Sequence, residues 1–588
     1  MISDVESLDS ATLRERVKTL ERELAESKTR ADELVAERDR LREGYRHLEL
    51  QLELQRRRLF IAKAERVDTA DLQLEFAETL AKLNAIAGEL SPTGRPEDFV
   101  PGEPATPHPD DKQGKDPKKS PTGRRKLRDL DLPEERIELR DPLLDGKAEC
   151  IGTEETCQMM WRRGGPVRVV TVRFKYRSTE PVASAEAAAA SIESLVIVTV
   201  PVPAQILTRS IATASLLAHI VSDKLCDGLP LHRQEDRFAR LGFSIDRGSM
   251  SRWIEELGMT MGSSVVQAMR DEAFATAFCI STDATGVLIQ PIQEAKGHKQ
   301  RRACRRGHYF VQIADDDHIF FEYTPKETSA AVGELFRGFS GYIQADAKSV
   351  YDFLFRPPEE RVPLDDEEVD RAVRHEVGCW SHVRTKFWEA AITKNVVARE
   401  GLARISRIFE LDRSWRRKPH AEIKSLRDLH LRPHVDAFFE WVAVQYDEVR
   451  GQRGFLRTAL GYAHRQHGPL TRFFDDGRLR LDNNASERAL RRIAVGRKAW
   501  LFSGSDDHAQ AAANLMTLIA TARLHGLDPE RYLRDLFRVF PHWPRDRYLE
   551  LCPRDWLGTR GRLDAAELKA ELGPLAIPAA PTKQSAAG

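Results

Sequence analysis

The amino-acid sequence predicts a multidomain protein of the α+β class. The chain has 588 residues, which is longer than a single hydrophobic core usually supports. Apolar residues with heptad spacing mark the N-terminal end, and helical patterns fill residues 395–470. Between these regions, short apolar runs bounded by polar residues are typical of strands. We therefore expect helical segments around a mixed core of strands and helices.

Composition excludes some classes of protein. No apolar run reaches the roughly 20 residues that a membrane-spanning helix needs, and the acidic start MISDVESLDS lacks the pattern of a signal peptide. We therefore expect a cytoplasmic protein with no membrane partner. The 91 basic and 91 acidic side chains balance, so any contact with nucleic acid must come from local patches. Seven scattered cysteines indicate reduced thiols rather than a disulfide framework.

Residues 1–90 are predicted to form a coiled coil that joins copies of the chain into a homo-oligomer. The apolar seam is narrow and flanked by charged residues, as a partner helix requires. The alternative is a long helix that folds back on the rest of the chain. The seam consists of Leu13, Leu20, Leu34, Leu41 and Leu48 at one heptad position, and of Val17, Leu24, Ala31, Tyr45, Leu52 and Leu59 at the other.

Three less regular segments follow. Residues 91–125 are predicted to be a linker, because the many prolines of this segment prevent a helix or a packed core. Residues 126–180 are predicted to be a small module that ends in the strand-like run VRVVTVRFKY, and residues 181–204 an Ala-rich connector.

Residues 205–275 have a helical pattern in which the run HRQEDRFARLGFSIDRGSMSRWIEEL reads as helix, tight turn, helix. This is the outline of a helix-turn-helix, so we expect a DNA-binding region here. The alternative is an ordinary helical pair that packs Phe238, Leu241, Trp253 and Leu257 together.

Two carboxylates are predicted at the ends of strands within residues 276–394. Asp283 ends the apolar strand that begins at AFCIST, and Asp346 ends the strand GYIQADA. Between them, HYFVQIADDDHIFFEYTP predicts a β-hairpin with three aspartates at its tip, and SAAVGELFRGF predicts a helix. Metal-dependent phosphoryl transfer needs hard oxygen ligands on such rigid elements.

A third carboxylate, Glu487, is predicted in the first turn of a helix that Asn484 caps, within residues 471–525. The all-helical residues 395–470 separate it from the two strand acids and read as an insertion. The order of strand acid, strand acid and helix acid matches a ribonuclease H-like core with a helical insertion. Singly, the aspartates could be turn residues and the glutamate could complete a capping box.

Four blocks of sequence resemble one known family. They are STDATGVLIQ, FSGYIQADAKSVYD, GCWSHVRTKFWEA and TRFFDDGRLRLDNNASERALRRIAVGRKAWLFSGSDD. Together they resemble the transposases of the insertion sequence 66 family, a branch of the DDE transposases, over most of residues 205–540. The resemblance implies that Asp283, Asp346 and Glu487 are the catalytic triad and bind metal. It leaves residues 526–588 as a C-terminal region and tail.

The resemblance also implies a cysteine-rich zinc module after the linker, and here the sequence departs from the family. Within residues 126–180 there are only Cys150 and Cys157, and two thiols cannot close a four-ligand site. We therefore expect a degenerate zinc-finger-like module without zinc. Cys379 and His382 resemble a Cys-x-x-His element found in several DDE groups, and we interpret them as a possible structural pair.

If the triad holds, two Mg²⁺ or Mn²⁺ ions are the expected cofactors. The expected partners are double-stranded DNA, at the element ends and the target, and accessory proteins of the same element. The alternatives are a catalytically inert transposase-derived DNA-binding protein and a ribonuclease H-like nuclease without joining activity. Two clusters of basic residues are predicted to contact DNA phosphates. The alternative is a solvated surface with local ion pairs. The residues are Lys296, Lys299, Arg301, Arg302, Arg305, Arg306, Arg488, Arg491, Arg492, Arg497 and Lys498.

Overall fold

A computed structural model describes residues 15–30, 33, 37, 132–162, 165–178, 196–290, 303–360, 370–392 and 395–581. The chain divides into two units, residues 1–123 with 297–304, and residues 124–296 with 305–588. In the first unit, residues 15–30 form a helix, α1, whose side chains are all exposed. Val17, Leu20 and Leu24 of the predicted seam lie on it. The rest of the seam and the linker at 91–125 lie outside the described residues, so self-association stays a prediction.

The second unit begins with a small sheet over the predicted module. Its strands are β1 (Glu134–Leu139), β2 (Glu149–Arg162), β3 (Gly165–Ser178) and β4 (Val196–Thr199). Strand β3 is central and pairs with all three others, in parallel with β1 and antiparallel to β2 and β4. Cys150 and Cys157 both lie on β2, opposite Tyr176 and Val170. Seven residues of strand separate these thiols by roughly 20 Å, so they cannot share one ion.

A helical region follows, with a helix-turn-helix at the predicted place. Its helices are α2 (Ala214–Leu225), α3 (Leu231–Arg240), α4 (Arg247–Leu257) and α5 (Ser263–Thr276), with a π-helical turn at Gly258–Gly262. The turn after α3 contains Gly242 at φ +87°, a left-handed conformation that glycine adopts without strain. Asp246 begins α4 by accepting a hydrogen bond from the Ser249 N–H at 3.1 Å. Phe238 and Leu257 are buried between these helices, whereas Leu241 is 38% exposed.

A second, five-stranded sheet forms the core of this unit. It contains β5 (Cys279–Ile289), β6 (Arg305–Ala314), β7 (His318–Thr324), β8 (Gly341–Gln344) and β9 (Arg374–Val377), and the helix α6 (Ser329–Leu335) lies between β7 and β8. The order is β7-β6-β5-β8-β9. Strands β5, β8 and β9 are parallel, and β6 and β7 form an antiparallel hairpin against β5. The predicted hairpin is therefore confirmed, with its three aspartates at the tip.

Both faces of the second sheet are buried, because consecutive apolar side chains of its strands point to opposite faces and enter two different cores. Phe310 and Phe320 pack on the helical region, whereas Tyr309 and Val311 point to the other face and pack against Ile493. The sheet is thereby held between two layers of helices.

Helices fill the chain after β9, including the stretch 395–470 predicted as helical. They are α7 (Trp380–Ile392), α8 (Val396–Trp415), α9 (His420–Leu426), α10 (Arg432–Glu448), α11 (Phe455–Arg465) and α12 (His467–Thr471). These helices share a separate hydrophobic core around Trp380, Phe387 and Phe438. Arg427 is buried there and donates a hydrogen bond to Asp412 at 2.8 Å.

Five further helices complete the described chain. They are α13 (Asn484–Trp500), α14 (Asp506–Leu524), α15 (Pro529–Val539), α16 (Trp556–Gly561) and α17 (Ala565–Lys569). Buried Arg538 on α15 donates to the backbone carbonyls of Ala570, Gly573 and Pro574, which fixes the end of the chain. Among the residues that the structure describes, no helix is long and apolar enough to cross a membrane.

We predict that Gly258→Ala destabilises the second unit. An added Cβ would lie 2.3 Å from the carbonyl oxygen of Ala511 on α14, and overpacking of this kind costs about 1–3 kcal/mol or more. Thermal unfolding of the purified chain should show a lower midpoint. Gly558→Ala on α16, where no atom lies within 4 Å of the added Cβ, is the matched control. Equal midpoints for the two variants would contradict this close helix approach.

Candidate active site

The register of the second sheet brings Asp283 and Asp346 together. Strands β5 and β8 are parallel neighbours, and the last pair of their ladder is Ser281 with Gln344. Asp283 and Asp346 each lie two residues beyond that pair, where the two strands diverge. The prediction that Asp283 ends its strand is wrong, because β5 continues to Ile289 by pairing with β6. Asp283 nevertheless lies at the end of the parallel part of the sheet, beside Asp346.

The two aspartates form an acidic pair whose charge Lys348 compensates only in part. Burial raises the pKa of Asp283, a 2.7 Å hydrogen bond from the Ala284 N–H lowers it, and the charge of Asp346 raises it further. Asp346 is only 8% exposed, and its Oδ1 accepts no hydrogen bond from any residue that the structure describes. Lys348 Nζ lies 3.4 Å from Asp346 Oδ2 and also 3.4 Å from Glu327 Oε1, so its charge is shared.

Buried Tyr351 borders the same pair. Its hydroxyl has a pKa raised well above the ordinary value, first by burial and then by the negative charges of Asp346 and Asp283. The phenol therefore stays protonated beside the carboxylates.

Glu487 reaches this region from the start of α13. The helix N-terminus is fixed to β5, because Asn483 Nδ2 donates to the Thr282 carbonyl at 2.6 Å and Ser486 Oγ lies 3.1 Å from Ser281 Oγ. The Glu487 side chain is 45% exposed, and its Oε1 lies 3.8 Å from His382 Nε2. His382 also lowers the pKa of Asp283 through its charge. His382 therefore lies close to Glu487 and within electrostatic range of Asp283.

The expected cap of α13 needs correction. The helix begins at Asn484, so the N-cap is Asn483 and not Asn484 as predicted. The Asn483 side chain makes no capping hydrogen bond and binds β5 instead. The Asn483 N–H donates to Cys379 Sγ at 3.3 Å. With Asn483 as the N-cap, Glu487 is the fourth helical residue and not the third, so it does not complete a capping box. Asp482, the neighbouring acid, accepts from the Asn484 N–H at 3.2 Å instead.

Cys379 and His382 do different things. Cys379 is 1% exposed, and burial raises the pKa of its thiol to about 11, so it stays protonated and serves the packing of α13. His382 instead faces the acids. Within the part of the chain that the structure describes, no group of three or more His, Cys, Asp or Glu side chains could hold a metal ion. The two aspartates are thus brought together, while Glu487 remains outside their immediate cluster.

The basic residues predicted to contact DNA separate into several groups. Arg305 pairs with Asp506, and Arg497 donates to Thr285 Oγ1 at 3.3 Å and to the Gly286 carbonyl. These contacts hold secondary structure together. Arg306 packs beside Gly286, and Arg488, Arg491, Arg492 and Lys498 are exposed on α13. Lys296, Lys299, Arg301 and Arg302 lie outside the described residues.

Sequence reasoning missed Lys348, Tyr351 and the placement of His382. The signal for the first two was present, since both follow Asp346 in the run ADAKSVYD. His382 lies in the block GCWSHVRTKFWEA, but its contact with Glu487 depends on how α7 packs against α13.

Comparisons with known proteins cover most of this unit. The family model described as Transposase IS66 family matches residues 209–511, and the model described as IS66 C-terminal element matches residues 517–553. Two similar proteins come from Sinorhizobium fredii (strain NBRC 101917 / NGR234). Uncharacterized protein y4qI is 27% identical over 60% of this chain and 64% of its own length. Uncharacterized protein y4hP is 25% identical over 68% of this chain and 70% of its own. The chain thus spans just under two thirds of the first relative.

We predict that Asp283→Asn raises the thermal stability of the metal-free chain at pH 7. Burial raises the pKa of Asp283 in the folded state, so between the unfolded and the folded pKa values the folded chain binds more protons than the unfolded chain. Its stability therefore falls as the pH rises from the unfolded value, about 3.9, through the folded value. The asparagine removes this penalty, and the gain should shrink as the pH approaches 4. Thermal unfolding in EDTA measures it.

The exposed carboxylate Asp447 on α10 provides the control. Asp447→Asn should leave the midpoint unchanged at both pH values. A lower midpoint for Asp283→Asn at pH 7 would contradict the acidic pair.

Proposed function

The chain belongs to the IS66 family of transposases, and on that premise we propose that it cuts and joins DNA strands at Asp283, Asp346 and Glu487. The observation that carries the proposal is the pairing of half-buried Asp283 with buried Asp346 at the divergence of β5 and β8. The helix that bears the third acid is anchored beside them through Asn483 and Thr282.

The sheet supports a ribonuclease H-like core for this chemistry. Strands β7, β6 and β5 are antiparallel, β5, β8 and β9 are parallel, and the first acid lies on the central strand. The helices between β9 and α13 would then be an insertion into that core. Ligands bind where the strands of an open sheet diverge, which is where both aspartates lie.

The acidic residues fit divalent metal ions of the Mg²⁺ or Mn²⁺ type. Asp346 has a buried oxygen that no described residue satisfies, and the negative charge of Asp346 raises the pKa of Asp283 and so opposes its ionisation. A cation held by Asp283, Asp346 and Glu487 would relieve both penalties, and carboxylate oxygens are the donors that such hard ions prefer. The protonated thiol of Cys379 makes this a poor zinc site. When bound, the ions would activate the attacking oxygen and stabilise the leaving one.

The protein's own side chains would position the DNA and the acids. Lys348 Nζ would hold the Asp346 carboxylate, from which it lies 3.4 Å away, and His382 Nε2, 3.8 Å from Glu487 Oε1, would orient the Glu487 carboxylate. The exposed Arg488, Arg491 and Arg492 follow Glu487 along α13, so DNA phosphates bound to them would run past the acids. This arrangement favours cleavage and strand transfer at one centre.

The remaining proposals concern partners. The exposed seam of α1 supports self-association, which would hold two element ends together. Double-stranded DNA and accessory proteins of the same element are the other proposed partners, and the bacterial nucleoid is the proposed place of action.

We predict that Asp283→Asn, Asp346→Asn and Glu487→Gln each reduce strand cleavage and strand transfer to background. The loss should be roughly 100-fold or greater, because each variant removes charge stabilisation of the transition state. Labelled element ends incubated with the chain, the accessory proteins and Mg²⁺ measure both steps on a sequencing gel. Asp482→Asn, which alters the neighbouring acid, should keep most of the activity.

The same assay separates the alternatives. Unchanged activity in the three acid variants would refute the site. Cleavage without joining would identify a nuclease, and specific binding to the ends without cleavage would identify an inert DNA-binding protein.

We also predict that Mg²⁺ or Mn²⁺ raises the unfolding midpoint of the wild-type chain. Binding to the folded state alone contributes about 2.7 kcal/mol at a concentration 100 times the Kd. The shift should be lost in Asp283→Asn and Asp346→Asn and kept in Asp447→Asn. An equal shift in all four proteins would place the ion elsewhere.

A further inference from the structure

A groove of about 950 Å³ runs along α13, the helix that carries Glu487. The loop after α2 and the start of α4 form one wall, and α13 with the turn that follows it forms the other. Glu487 lies one residue before Arg488, the first arginine of this wall, so the groove begins beside the third acid.

The lining of the groove combines positive charge with apolar surface. Its cations outnumber its carboxylate, Asp227, and an apolar floor lies between them. A ligand that matches both must carry an anionic part and a flat apolar part. The cations are Lys224, Arg247, Arg488, Arg491 and Arg492, and the floor includes Ile493, Val495, Trp500, Leu501 and Phe502.

The positive charge of Lys224 is partly buried and is not neutralised by a carboxylate of the described residues. Burial is the cause that lowers its pKa, to about 8, and no carboxylate among the described residues forms an ion pair with it. A half-buried ammonium of this kind is stabilised by an anion from outside the chain.

Trp500 is held in the groove by an unusual backbone. Leu501 has φ 66° and ψ −49°, and the Phe502 N–H donates to the Trp500 carbonyl at 2.8 Å. This is a γ-turn with positive φ, a rare and strained conformation for a leucine. The C-terminal end of β5 holds this turn in place, because the Ser503 N–H donates to the Leu288 carbonyl and the Gln290 N–H donates to the Ser503 carbonyl.

Gly496 provides the space for the indole. An added Cβ at this position would lie 2.9 Å from Trp500 Nε1, so only glycine lets the ring lie back along α13. The half-buried indole then borders the groove.

We propose that this groove binds an unpaired segment of the DNA strand, with a base against Trp500 and phosphates on Lys224 and the arginines. A base must leave the duplex stack to reach an aromatic floor, and a positive groove with an aromatic ring is the usual platform for single-stranded DNA. The proposal deepens the proposed function and rests on it. Trp500 lies 13 residues from Glu487 along the helix, about 20 Å, so the bound base lies several nucleotides from the cut.

The test compares single-stranded with duplex DNA of about 20 nucleotides, in EDTA, by fluorescence anisotropy of the full-length chain. Trp500→Leu should weaken single-strand binding about 5- to 100-fold, the range for loss of one stacked base, and leave duplex binding within about 2-fold. Trp500→Phe, which keeps an aromatic ring, should restore most of the affinity. Trp388→Leu, at a tryptophan that is 57% exposed on α7, should change neither.

Two results would overturn the proposal. One is unchanged single-strand affinity in Trp500→Leu, and the other is an equal loss on both forms of DNA in a variant that unfolds at the wild-type temperature. Asp283→Asn separates this proposal from the proposed function, because it should abolish cleavage and keep the Trp500-dependent preference. If the wild-type chain showed that preference but never cleaved DNA, the groove proposal would stand and the proposed strand cleavage would be refuted.

Discussion

The parallel ladder between β5 and β8 is the constraint on which the candidate site depends. Only three residue pairs form it, from Cys279 with Tyr342 to Ser281 with Gln344. A slip of one residue would turn Asp346 to the opposite face of the sheet, because side chains alternate along a strand. Buried Ile280 and Ile343 oppose such a slip, since they would leave the hydrophobic core. The short ladder therefore keeps two like charges adjacent, at a free-energy cost that the surrounding apolar layers offset.

The second constraint is the anchoring of α13. Asn483 and Ser486 attach the helix to the backbone and side chain of β5, and Arg497 attaches it again near its other end. The helix is therefore fixed to the strand that carries Asp283, while its exposed arginines remain on the opposite side. The residues that anchor α13 to β5 are therefore different from the exposed arginines that we propose to bind DNA.

Local sequence patterns were sufficient to predict much of this architecture. The hairpin of β6 and β7 and the strand before Asp346 follow from apolar alternation and turn residues, which are local signals. The start of α13 did not follow, because Asn483 gives its side chain to Thr282 instead of capping the helix. The hydrogen bond from Arg497, a residue predicted to contact DNA, to the Gly286 carbonyl was not foreseen either. His382 meets Glu487 only through the packing of two helices from distant parts of the chain. Such tertiary contacts have no local signature.

Glu487 follows helices α7 to α12 in the sequence, so it is synthesised well after both aspartates. A nascent chain that has emerged only as far as α12 carries both aspartates but neither the third acid nor the Asn483 anchor. The centre is therefore assembled only when α13 has emerged and has packed on β5. Truncated products that end within α8 to α12 would retain residues 205–275, the region predicted to bind DNA, without the third acid. If that region binds the element ends, such products would compete with full-length chains for them.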